Sequence, residues 1–447
     1  MPRSYLNRGG AFSGPAQLRF AVKSAGLRIA LEELAMKTFL FLIPAAAIAF
    51  SFAACTGDDT EVSGNGNDGG TSTDGSADGN VTTDAASGDA STSDAAADAG
   101  LVTFTPGAPI TGLTPGSWTW VDIAGTQCRD GSATGIGVRP AATTSNKLMI
   151  FLEGGGACFN TTTCGTNPST YGSAQFASFG SGEGSTGIFS TTDTANAVKD
   201  WNMVYVPYCT GDIHGGSKPN GAVTGEPTTQ QFVGYDNMTR DLERIVPTFT
   251  SLSQVLLTGQ SGGGFGAALN YVQTTRAFGS GVPIALIDDS GPLMTNPELA
   301  ACLESGTIAL WGLQNTVIRD CGSDCSDVGN SLNQYWVHLS KTYPNAPLAF
   351  LDSTDDQVIT EFFGFGADNC TSFVQLDGGV YSAGLIDMRT KVASDPNAGL
   401  FLFPGTSHTS LVQAYTTRTA TESDGGAQKL EDWVTAIVGG TVTNVGP

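Results

Sequence analysis

The middle of the chain reads Gln254-Val255-Leu256-Leu257-Thr258-Gly259-Gln260-Ser261-Gly262-Gly263-Gly264-Phe265-Gly266-Ala267-Ala268. Gln254–Thr258 is a short apolar run without alternation, the pattern of a strand buried on both faces. Gly264, Gly266, Ala267 and Ala268 are small enough to let a following helix lie close to a sheet. Between them stands G-x-S-x-G, a sharp strand-to-helix turn that presents a serine in strained backbone geometry. The flanking positions are glycine because a Cβ there would clash. Ser261 Oγ then sits at a helix N-terminus, whose dipole favours developing negative charge. Ser261 is therefore the candidate nucleophile.

Similar apolar runs recur at Lys147–Leu152, Met203–Pro207, Pro283–Ile287, Leu348–Leu351 and Leu400–Phe403. Helical periodicity fills the intervals: Tyr235, Met238, Leu242 and Ile245; Ser331–Tyr343; and Leu430, Trp433, Val434 and Ile437. Strand and helix in alternation imply right-handed βαβ units and a mostly parallel sheet with helices on both faces. Ligands in such folds sit at the carboxyl ends of the strands.

An activated serine needs a base, and the base an orienting acid. The chain has three histidines. His338 lies inside a helical stretch and reads as a packing or surface residue. His214 lies in a loop that precedes the serine. His408 follows Leu400–Phe403, in the last strand-end loop, and is the candidate base. The acid belongs between serine and base, after Leu348–Leu351, where the chain reads Asp352-Ser353-Thr354-Asp355-Asp356-Gln357-Val358-Ile359. Asp356 is preferred because an aspartate, one residue and a branched apolar pair is common in such loops. Asp355 is the alternative, and the unchosen aspartate is expected to cap the next helix. The order Ser261, Asp356, His408 is that of the α/β-hydrolase fold. Glu153-Gly154-Gly155-Gly156 follows the strand Lys147–Leu152 and is the candidate oxyanion loop. Backbone N–H groups of Gly155 or Gly156 would join that of Gly262 in the oxyanion hole. No Lys-Ser/Thr follows the glycines, so a phosphate-binding loop is not expected.

The rest of the chain reads as address and tether. Lys+Arg is 20 and Asp+Glu 42, a net charge of −22, which argues against a nucleic-acid partner. Residues 1–55 carry +4, residues 56–100 carry −10 and residues 101–447 carry −16. Residues 36–55 have a basic start, an apolar middle and a small-residue end, which is an export signal. It closes on Phe52-Ala53-Ala54-Cys55, similar to the lipobox of bacterial lipoproteins, with Cys55 lipidated. Residues 1–35 do not fit an export signal and read as an extension from a start called too early. Residues 56–100 are Gly, Ser, Thr, Asp, Ala and Asn with little apolar content, hence a disordered acidic linker. Residues 101–447 form the globular domain. The expected location is a bacterial cell-envelope membrane, outer membrane or cell surface, with the domain outside the cytoplasm. Apart from Cys55 there are eight cysteines, an even number suited to disulfides in an exported protein. Their spacings form no paired C-x-x-C set, so no metal is expected.

Several motifs together resemble the pectin acetylesterase family. They are Phe151-Leu152-Glu153-Gly154-Gly155-Gly156 with Cys158; Tyr208-Cys209 with Gly211-Asp212; Phe232, Gly234 and Asn237; the turn at Ser261; and Asp289-Ser290-Gly291. Ala157 stands where members usually carry an aromatic. The resemblance implies an α/β-hydrolase fold, carboxylic-ester hydrolysis and no cofactor. It also implies disulfides Cys128–Cys209 and Cys158–Cys164, leaving Cys302, Cys321, Cys325 and Cys370 to pair among themselves. The expected activity is ester hydrolysis through an acyl-enzyme, on O-acetyl groups of a polysaccharide such as pectin, by a monomer that meets the membrane only through its lipid. The alternatives are another serine hydrolase on the same scaffold (lipase, depolymerase or peptidase) and an inactive surface-binding lipoprotein.

Overall fold

The computed structural model describes residues 104–327, 329–422 and 425–447. The expected extension, export signal, Cys55 and linker lie outside the described residues. Eight strands, numbered here in chain order, form the main sheet: β1 Thr119–Gln127, β2 Ala133–Arg139, β3 Lys147–Leu152, β4 Asn202–Val206, β5 Gln254–Gln260, β6 Ile284–Asp289, β7 Leu348–Ser353 and β8 Ala398–Phe403. Their spatial order is β1-β2-β4-β3-β5-β6-β7-β8. β2 runs antiparallel to both β1 and β4, and every pairing from β4 to β8 is parallel.

The apolar runs lack alternation because both faces of the sheet are covered. Along β3, Leu148, Ile150 and Leu152 enter one core while Met149 and Phe151 enter the other. On the first face the helix Gly234–Thr248 buries Tyr235, Met238, Leu242 and Ile245, the four positions expected from periodicity. On the second face the helix Leu430–Val438 buries Leu430, Trp433, Val434 and Ile437. Truncating a fully buried residue such as Trp433 to alanine would cost about 3–5 kcal/mol.

The apolar pattern misses β1 and β2. β1 alternates poorly and much of it is exposed. β2 carries glycines that weaken strand propensity, yet the packing requires them: a Cβ on Gly137 would fall 2.1 Å from the Phe176 ring.

Disulfides join Cys128 to Cys209, Cys158 to Cys164, Cys302 to Cys370 and Cys321 to Cys325. The first two are the pairs that the resemblance implies. Such bridges are the signature of a protein that folds in an oxidising compartment. No described helix is long and apolar enough to cross a membrane.

Candidate active site

The serine turn is built by close backbone approach. Ser261 has φ 57° and ψ −126°, and the helix Gly262–Leu269 starts at the next residue. A Cβ at Gly259 would meet the Gly263 carbonyl at 2.1 Å, and one at Gly263 would meet the Leu152 carbonyl at 2.1 Å. The glycines on both sides are therefore required by packing. Ser261 N–H donates to the Asp289 carbonyl at the end of β6, 2.7 Å.

The Gly-rich loop after β3 faces this turn. Gly154 packs on the Gln260 carbonyl, and Gly156 takes φ +78°. Asn167 Nδ2 holds the Gly155 carbonyl at 2.7 Å, and the Tyr208 ring underlies both Gly155 and Gly262. Tyr208 is fixed in turn, accepting from Ile213 N–H at its hydroxyl and donating its own N–H to Glu153 Oε2. Among the described residues, the N–H groups of Gly155, Gly156 and Gly262 donate to no protein acceptor. They are available to an incoming oxyanion.

The loop after β8 carries His408. Its Nδ1 lies 2.8 Å from Asp356 Oδ2. Asp356 is fully buried, and its Oδ1 accepts from Val358 N–H and Ile359 N–H at the start of the helix Gln357–Ala367. The expected division of labour, one aspartate beside the histidine and the other capping the helix, is corrected here: Asp356 does both. A short loop brings the helix start and the histidine to the same carboxylate. The Asp355 carboxyl instead packs against Gly378, at the rim of a polar cleft with Gln375 and Asp377.

Asp289 connects the two halves. Its carbonyl accepts from Ser261 N–H, and its Oδ2 accepts from Ser410 N–H and Leu411 N–H, two and three residues past His408. Burial pushes this carboxyl up to about 6 despite those two donors. No hydrogen bond joins Ser261 Oγ to His408 in this state. Such bonds often close fully only in the substrate complex.

The other two histidines sit apart from this pairing. His214 is buried, stacks on Tyr208 and has Nε2 2.9 Å from the Glu153 carbonyl. Burial lowers it to about 4, so it is neutral and Nε2 is the donor. His338 pairs with Asp324 on the surface.

Ser261 opens onto an apolar cavity. Its walls include Ala157, Phe159, Ile213, Phe265, Trp311 and Phe362, with Gly156 and Gly262 at the serine end. Its volume, measured as the space open to the centre of a water molecule, is about 70 Å³. Composition alone did not reveal this cavity, because its walls come from elements far apart in sequence.

The sheet order and the strained serine turn define an α/β-hydrolase. The chain belongs to the Pectinacetylesterase family, whose model matches residues 117–358, more than half of its 447 residues. Palmitoleoyl-protein carboxylesterase NOTUM of Schmidtea mediterranea is 35% identical over 156 residues, covering 34% of this chain and 28% of the relative. Mouse palmitoleoyl-protein carboxylesterase NOTUM is 30% identical over 211 residues, covering 45% and 37%. The alignments thus span less than two-fifths of these relatives' own length. A solved structure of the Drosophila Wnt deacylase Notum superposes with TM-score 0.53 at 19% identity, covering 74% of this chain and 96% of that one. That likeness is one of fold.

Proposed function

We propose that the chain is an exported serine carboxylesterase in which Ser261, His408 and Asp356 act as nucleophile, base and orienting acid. The observation that carries the reading is Asp289. One residue ties the serine turn through its carbonyl and the histidine loop through its carboxylate, so both are held at adjoining strand ends.

In the first half-reaction Ser261 Oγ attacks the ester carbonyl as His408 Nε2 takes its proton. Asp356 fixes the Nδ1–H tautomer and stabilises the imidazolium. N–H groups of Gly262 and of Gly155 or Gly156 receive the oxyanion. The tetrahedral adduct collapses, His408 protonates the leaving alkoxide, and the acyl group stays on Ser261. Water, deprotonated by His408, then attacks the acyl carbonyl. Collapse returns the proton to Ser261 Oγ and releases the acid.

The cavity favours an apolar acyl group longer than acetyl. Its lining is almost wholly apolar, which suits an aliphatic acyl group. The relatives named as palmitoleoyl-protein carboxylesterases support an aliphatic acyl group. The second reading, O-acetyl groups on a polysaccharide such as pectin, is favoured by the family's own description. On either reading the protein works as a monomer without a cofactor, held at an envelope membrane only through Cys55.

A series of p-nitrophenyl esters from acetate to dodecanoate tests this. The expected kcat/KM rises from acetate to longer aliphatic esters and vanishes in Ser261→Ala. A peak at acetate would assign the acetyl reading. Failure of folded, oxidised protein to turn over any ester or to react with a fluorophosphonate would remove the esterase reading and leave a binding scaffold.

A further inference from the structure

His214 takes no part in the mechanism above, yet it is built into the corner where the oxyanion forms. Ile213 and His214 both take left-handed backbone, with φ 51° and 58°. That conformation is costly, most of all for a β-branched residue such as Ile213, and it persists where the surroundings hold it. Here each residue is held at the site. Ile213 N–H donates to the Tyr208 hydroxyl at 2.7 Å, and Ile213 lines the cavity beside Ser261. His214 Nε2 lies 2.9 Å from the Glu153 carbonyl. A carbonyl oxygen only accepts, so Nε2 carries the proton.

The carbonyl so held belongs to the oxyanion corner. It stands one peptide before Gly154, at the start of the Gly-rich loop. A Cβ on Gly263 would meet it at 2.6 Å, so it also lies against the serine turn. Among the described residues no backbone N–H donates to it, and the imidazole is its partner. The ring has two further contacts. It packs at a tilt on Tyr208, ring centroids 4.6 Å apart, and Tyr208 underlies Gly155 and Gly262. Gly266 of the serine helix comes so near that a Cβ there would fall 2.7 Å from Cδ2. Asn270 Nδ2, just past that helix, donates to the His214 carbonyl at 3.0 Å and to the Gly266 carbonyl at 2.7 Å. One imidazole thus joins the Gly-rich loop, the tyrosine beneath it and the serine helix.

Resting on the esterase reading, we propose that His214 is a positioning residue for the oxyanion hole. Its Nε2–H fixes the Glu153 carbonyl against the serine helix, and so sets the Gly155 and Gly156 N–H groups opposite that of Gly262. Oxyanion donors work within about 2.7–3.1 Å of the oxygen they stabilise. Without the imidazole donor a buried carbonyl loses its partner, the Glu153–Gly154 peptide turns to find another, and the loop N–H groups leave that window. The loss falls on the tetrahedral intermediate, where the oxyanion exists, and not on the bound ester.

The test compares His214→Gln and His214→Phe with wild type. Glutamine keeps an N–H donor near the reach of Nε2 and gives up the ring, whereas phenylalanine keeps a ring on Tyr208 and gives up the donor. The readouts are kcat and KM on p-nitrophenyl butyrate, the inhibition constant of butylboronic acid, which forms a tetrahedral adduct on a serine nucleophile, and a thermal melt. His214→Phe should lower kcat about 10- to 100-fold, the scale of a group misplaced by about 1 Å. It should weaken the boronate by about the same factor and change KM less than about 3-fold. His214→Gln should keep kcat and the boronate constant within about 3-fold of wild type. A merely structural role would move the melt without this ordering, and a packing role for the ring would reverse it. The reverse order, equal losses in both, retention in both, or a His214→Gln protein that does not fold overturns the proposal. If His214→Phe does not fold, His214→Asn takes its place: asparagine suits the positive φ, but its amide stops short of the Glu153 carbonyl, and the same loss is expected. Wild type that neither turns over esters nor reacts with fluorophosphonate sinks the esterase reading and this proposal together, whereas active wild type with the reverse order sinks this one only.

Discussion

Replacing Gly154 with alanine probes the oxyanion corner without substituting the candidate nucleophile, base or acid. The new Cβ would lie 2.5 Å from the Gln260 carbonyl and 2.7 Å from Ser261 Cβ. Ordinary contact begins near 3.4 Å, so the Gly-rich loop and the serine turn must part by about 0.7–0.9 Å. An oxyanion donor works within about 2.7–3.1 Å of the oxygen it stabilises, a window narrower than that displacement. The expected result is the loss of one donor, about 2.7–4 kcal/mol, or about 10²–10³ in kcat. Overpacking costs stability by about 1–3 kcal/mol, which a thermal melt would register without unfolding the protein. The assay is kcat on p-nitrophenyl butyrate alongside the second-order rate of fluorophosphonate labelling. That reaction also builds a tetrahedral centre and should slow in parallel. A folded Gly154→Ala protein whose kcat and labelling rate stay within about 3-fold of wild type would show that the loop after β3 supplies no oxyanion donor.

Three further outcomes follow from the same geometry. Asp356→Asn should lower kcat by about 10⁴, as removal of an orienting acid does elsewhere, while Asp355→Asn stays within about 3-fold; equal losses would place the acid wrongly. Burial pushes Glu153 to about 7, so the folded state binds its proton more tightly than the unfolded chain does between pH 4.5 and 7. Its contribution to stability is therefore most favourable below about 4.5 and falls as pH rises, by about 3 kcal/mol at most. Glu153→Gln should remove that decline, measured as denaturant unfolding at pH 4.5 and pH 8, and an unchanged pH slope would refute it. The Cys128–Cys209 bridge closes a loop with sequence separation 81, worth about 4.5 kcal/mol in the chain-entropy picture. Cys128→Ala with Cys209→Ala should lower unfolding free energy by roughly 3–4.5 kcal/mol, and a loss under about 1 kcal/mol would contradict the estimate.

The parallel half of the sheet was legible because burial on both faces forces unbroken apolar runs at β3 to β8, and the serine turn was legible because close backbone packing demands glycine at 259 and 263. The antiparallel edge was not. β1 is largely exposed and buries residues without alternation, and β2 uses glycine where Phe176 crosses it, so neither yields a period. The choice between Asp355 and Asp356 rested on a loop pattern, and the structure sets Asp356 beside His408. The double role of that aspartate was hidden, since sequence shows a cap and an acid as two jobs for two neighbours.

The Asp356 carboxylate pins the first turn of the helix Gln357–Ala367 and also grips His408. That helix contributes Ile359, Phe362 and Phe363 to the wall of the cavity beside Ser261. On the proposed esterase reading, substrate fit and imidazole aim share one fulcrum, because the side chain that caps the cavity-lining helix is the one that holds His408.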